Sequence, residues 1–75
     1  MSRSDELRTP PHSVEAEQSV LGGLLLDASA WDNVADIVRA EDFYRPDHAL
    51  IFEAIGQLAG AGKPSDVVTV SEQLE

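Results

Sequence analysis

The sequence predicts an all-α fold, a small helical bundle, and three observations carry that expectation. Apolar residues recur at helical spacing in separate stretches, and residues that start or stop helices bound those stretches. The third observation is that packing must do the stabilising. The 75 residues include no Cys, so neither a disulfide framework nor a thiolate metal site can supplement a thin core. A hydrophobic content of 43% is ordinary for a globular chain and argues against disorder throughout. The length allows at most one small domain.

Residues 1–12 are polar and lead into Pro10-Pro11, which favours an extended approach, so they read as a flexible N-terminal arm. The helical unit then spans residues 13–75. Ser13 stands just before a periodic apolar run, with Glu15 and Glu17 in the first turns. That is a hydroxyl N-cap with carboxylates at the positive end of the helix dipole. Stepping 100° per residue places Val14, Ala16, Val20, Leu21, Leu24 and Leu25 on one core-facing arc. Glu17 falls inside that arc, so its carboxylate needs an edge position or a nearby donor. Glu15, Ser19, Gly22, Gly23 and Leu26 occupy the other side. Each glycine inside a helix costs about 1 kcal/mol relative to Ala. The pair either permits close approach of another backbone or marks a helix that frays before Asp27.

Trp31, Val34, Ala35 and Val38 form an i, i+3, i+4, i+7 set that predicts a second helix, with Ser29 as its cap. The connector Glu41-Asp42-Phe43-Tyr44 offers two aromatics to plug the core. Arg45-Pro46-Asp47 opens a third helix, because Pro is tolerated in the first turn and Asp suits the dipole. Ile51, Ile55 and Leu58 make its stripe, with Phe52 and Ala59 beside it. His48 shares that apolar side, and no nucleophile pattern accompanies it, so it reads as a hydrogen-bonded core histidine. Gly60 or Gly62 can take the left-handed conformation that ends the helix, and Pro64 stops further winding. Asp66-Val67-Val68 is short and β-rich. Thr69-Val70-Ser71-Glu72 matches a capping box, which starts a fourth helix near Val70.

The stretch Gly60-Ala61-Gly62-Lys63-Pro64-Ser65 has the ingredients of a phosphate-binding loop but fails its test. Such a loop needs G-x-x-x-x-G-K-[ST] between a strand and a helix. With Gly62-Lys63 as the central pair, the first glycine is replaced by Gln57 and the hydroxyl residue by Pro64. The preceding segment is also helical in pattern. The sequence therefore offers no cofactor-binding residues. It also lacks metal-ligand spacing and any catalytic constellation, so on residue chemistry this chain is not an enzyme.

Fourteen acidic against five basic side chains give a net charge of −9. A chain this acidic repels phosphate backbones, so direct nucleic-acid binding is not expected. It suits a basic protein partner, or it is simply a solvated acidic surface. No apolar run approaches the roughly 20 residues of a membrane span, and the N-terminus lacks a signal-like apolar core. A cytoplasmic location follows.

Pro10-Pro11-His12-Ser13-Val14-Glu15-Ala16-Glu17-Gln18-Ser19-Val20-Leu21-Gly22-Gly23 strongly resembles the opening of bacterial DnaB-type replicative DNA helicases. Asp42-Phe43-Tyr44-Arg45-Pro46-Asp47-His48, running on to Ile51-Phe52 and Ala54-Ile55, looks like the next landmark of that domain. Gly62-Lys63-Pro64 with Asp66-Val67-Val68-Thr69-Val70 resembles a third. The match runs from Pro10 to Leu74.

The resemblance implies the N-terminal part of the all-helical N-terminal domain of a hexameric, ATP-dependent DNA helicase. In that family the domain carries no ATP site, associates with other helicase subunits into a collar and docks the primase. ATP and Mg belong to a separate motor domain. The chain is thus expected to stop inside its own domain, short of further helices, a helical hairpin, the linker and the motor. The wheel and the family's docking role together mark Glu15, with Ser19 and Gly22 on the same side, as candidate partner-binding residues. A Glu15 that merely stabilises the helix dipole is the competing reading. A stand-alone small acidic protein that binds primase or helicase as a mimic is the alternative function.

Overall fold

The structure, a computed structural model, describes residues 13–75. The flexible arm expected over residues 1–12 lies outside the described residues. The described residues are helical, as the sequence predicts. Helix α1 spans Val14–Leu26, α2 spans Trp31–Ala35, α3 spans Pro46–Gly60 and α4 spans Val67–Leu74. Short 3₁₀ turns at Ala28–Ala30 and Ala40–Asp42 precede α2 and α3 respectively.

Helix α1 starts where the sequence places it. The Ser13 hydroxyl accepts the Ala16 N–H at 3.0 Å, satisfying one of the donors that every helix start leaves open. The helix runs unbroken through Gly22 and Gly23 to Leu26, so the fraying reading is not met.

The second helix is shorter than its apolar spacing implies. Asp27 takes the capping role expected of Ser29, its carboxylate accepting from the Ser29 N–H and from the Ser29 hydroxyl. A 3₁₀ turn follows, and α2 lasts only five residues, with Val38 beyond its end. An aspartate one residue outside the turn competes better for the free N–H groups than a serine within it.

Helix α3 begins with Pro46 in its first turn. It ends in a paired motif. The Lys63 N–H donates to the Leu58 carbonyl at 2.9 Å and the Gly62 N–H donates to that of Ala59 at 3.1 Å. Gly62 carries the positive φ of 70° that this termination requires. Gly62, and not Gly60, is therefore the left-handed residue, and the stretch that imitates a phosphate loop is a helix terminator.

The fourth helix starts three residues before its expected position. Asp66 is the cap: its carboxylate accepts the Thr69 N–H, and the Thr69 hydroxyl accepts the Asp66 N–H, both at 2.9 Å. The bond from the Thr69 N–H holds the Asp66 carboxyl below its ordinary pKa against the opposing effect of burial. Val67 and Val68 look like strand residues, but with a good cap ahead and no strand beside them they wind into the helix.

The core sits where α1, α3 and α4 meet. Leu21 and Leu24 from α1, Phe52, Ala54, Ile55 and Leu58 from α3, and Val70 from α4 are buried, with Ile55 fully so. Ala16, assigned to the core arc, is exposed, although its neighbour Glu17 is bonded to residues at the start of α3. One connector aromatic plugs the core as expected. Phe43 lies 5.1 Å from the Phe52 ring, and Trp31 approaches the same ring at 4.9 Å. Tyr44 turns outward, 58% exposed. Gly56 makes the tryptophan contact possible, since a Cβ there would come within 3.0 Å of the indole. Ser65 is buried with no hydrogen-bond partner for its hydroxyl among the described residues.

Candidate functional site

Helix α1 presents two faces with different chemistry. On the inner face Glu17 accepts the Nδ1–H of His48 at 2.7 Å, and the two side chains are only 13% and 8% exposed. The same carboxylate also accepts the backbone N–H groups of Tyr44 and of Arg45. These donors belong to the start of α3, where the first N–H groups have no partner within the helix. One carboxylate therefore ties α1 to α3 across 31 residues of chain. Burial pushes the Glu17 carboxyl up, but the bonds from His48, Tyr44 and Arg45 together outweigh it and hold the pKa below 4.5.

Nearby, Arg45 grips Asp47 with two parallel bonds of 2.9 Å. Asp47 also accepts the His48 N–H. The Arg45 bond is the main cause of an Asp47 pKa lowered to about 2. This network favours the ionised form of both carboxylates and ties α1 to the start of α3, which makes it a clamp. Sequence reasoning anticipated both halves of the clamp but not their union. Two ionisable residues on apolar arcs of different helices are the available signal, because each needs a buried partner.

The outer face carries the three predicted partner-binding residues. Glu15 and Ser19 are exposed and Gly22 is partly exposed, at i, i+4 and i+7 along one side of α1. The structure thus brings all three together on one stripe. The backbone approach proposed for the glycines is not made among the described residues. A Cβ placed on Gly22 or Gly23 would meet nothing within 4 Å. Leu26, at the end of the stripe, is 91% exposed.

Among the described residues, no group of three or more His, Cys, Asp or Glu is placed to hold a metal ion. No helix among them is long and apolar enough to cross a membrane.

Residues 9–75 match the family of the DnaB-like helicase N-terminal domain. The chain is 54% identical over 71 residues to the replicative DNA helicase DnaB of Buchnera aphidicola subsp. Schizaphis graminum, covering 95% of this chain and 15% of that protein. It is 50% identical over 72 residues to the replicative DNA helicase DnaB of Leifsonia xyli, covering 96% of this chain and 16% of the relative. The crystal structure of the N-terminal domain of DnaB helicase from Mycobacterium tuberculosis superposes with a TM-score of 0.82 at 48% identity. That superposition covers 88% of this chain and 46% of the other. The chain therefore spans about one-sixth of the curated relatives' length.

Proposed function

This chain belongs to the DnaB-like helicase N-terminal domain family, and from that premise we propose that it is a docking and ring-assembly module of a replicative DNA helicase. Its partners in this reading are a primase and the other subunits of a hexameric ring, acting in the cytoplasm. The motor that hydrolyses ATP with Mg lies outside these residues, and this module binds no cofactor of its own. It makes no direct nucleic-acid contact, because a net charge of −9 opposes a phosphate backbone.

The observation that carries the proposal is the outer stripe of α1. Glu15, Ser19 and Gly22 form a continuous side of the helix that the rest of the described fold leaves uncovered. The clamp around Glu17 holds this helix in a fixed attitude to α3, which presents the stripe on a rigid support. Glu15→Lys in the complete helicase reverses the charge at the head of the stripe without touching the core. Its capture of the cognate primase should weaken by about tenfold or more in a binding titration. Unchanged affinity would remove Glu15 from the interface.

A further inference from the structure

Two joints of the fold, α1–α3 and α3–α4, are built differently. At the first, the Glu17 carboxylate accepts from His48 and from the backbone N–H groups of Tyr44 and Arg45, and α1 contributes Leu21 and Leu24 to the core. The second has much less to hold it. Val70 is the one buried residue of α4, while Val67, Val68 and Leu74 are 61%, 65% and 46% exposed. Among the described residues, one side-chain hydrogen bond crosses this joint. The Gln73 Nε2–H donates to the Gln57 Oε1 at 2.6 Å, open to solvent. A groove of ≈ 290 Å³ also runs along the joint, lined by Leu58, Pro64, Thr69 and Gln73 among others.

Ser65 adds a cost that falls on the docked state alone. Its hydroxyl is buried and finds no hydrogen-bond partner among the described residues. It lies between Gly62, the left-handed residue that ends α3, and Asp66, the cap of α4. Docking α4 strips this hydroxyl of water without replacing the lost bonds, and undocking returns it to water. The caps do not oppose the movement. Gly62 and Lys63 bond back to α3, whereas Asp66 and Thr69 bond to each other, so neither set ties one helix to the other.

We propose that the α3–α4 joint is a hinge. Helix α4 opens as a unit, pivoting between Lys63 and Asp66, while the clamped α1–α3 joint stays shut. The opening withdraws Val70 from its cluster with Leu21, Leu24, Ile55 and Leu58 and relieves the Ser65 hydroxyl. It requires no occupant from outside the chain, and it is independent of the docking stripe on α1. Helix α4 has only eight residues, too few to persist alone in water, so it melts whenever it opens and its amides exchange.

Native-state hydrogen exchange of the 75-residue chain, read residue by residue by NMR, tests the hinge. The amides of Val70 to Gln73 should share one protection factor, about tenfold or more below that of Phe52 to Ile55 in α3. Ser65→Ala removes the unpaired hydroxyl and should raise the α4 factor about fivefold or more. Glu17→Gln weakens the clamp, which stays closed when α4 opens. It should therefore lower the α3 factor about fivefold or more and leave the α4 factor unchanged. Equal protection of α3 and α4 in the unsubstituted chain would overturn the proposal. So would α3 and α4 factors that fall together in Glu17→Gln, since α4 would then open only in global unfolding. A gradient declining from Val70 toward Leu74 and unmoved by Ser65→Ala would also overturn it, because that is fraying from the helix end.

Discussion

Glu15 and Glu17 stand two residues apart on one helix and meet opposite fates. Glu17 is nearly enclosed and accepts from a buried imidazole of another helix and two backbone N–H groups just ahead of that helix. Glu15 faces solvent. The glycines divide in the same way. Gly56 is required by the tryptophan lying on it, whereas Gly22 and Gly23 border open space. The fold's demands on α1 are confined to the face around Glu17. The composition of the other face is explained by what the chain meets outside itself.

The largest expected effect breaks the inner face. Glu17→Ala leaves the buried His48 and the backbone N–H groups of Tyr44 and Arg45 without their acceptor. Thermal melting followed by circular dichroism should show a midpoint lowered by on the order of 10 °C, or no cooperative transition. Glu15→Ala should move the midpoint by only a few degrees. Equal losses from the two variants would erase the distinction between the faces.

A smaller effect follows from pH. The folded state holds the Glu17 carboxyl below its ordinary 4.5, so folding favours the ionised form. The contribution of this carboxylate is therefore complete above its unfolded pKa and is lost as pH falls through the folded value. Asp47, lowered to about 2, behaves in the same sense. The stability gap between the unsubstituted chain and Glu17→Gln should be full above about pH 5.5 and close on acidification toward pH 3. A gap that widened on acidification would reverse the assigned sign.

Much of this was legible in the sequence because it is local. The Ser13 cap, the Pro46 start and the glycine-proline stop of α3 each depend on a few neighbouring residues, and all appear as read. The misread cap ahead of α2 and the miscalled start of α4 come from rival caps within three residues. At both, aspartate won, Asp27 over Ser29 and Asp66 over Thr69. The exposure of Ala16 is a tertiary outcome that the helical periodicity alone did not encode. The bond between Glu17 and His48 is likewise non-local, although each residue's place on an apolar arc signalled that it needed a partner. The outer stripe was legible as a helix face, whereas the burial of Ser65 depends on how α4 packs and was not.

A shift of the opposite sign tests the division of α1 most directly. Gly22→Ala and Gly23→Ala combined should raise the melting midpoint of the chain. Each replacement adds about 1 kcal/mol of helix propensity and meets no internal obstacle. At roughly 4–8 °C per kcal/mol for a domain of this size, the double variant should melt about 8–16 °C higher. A midpoint that falls would show that the fold itself needs those glycines, and the outer face of α1 would lose its claim to be reserved for a partner.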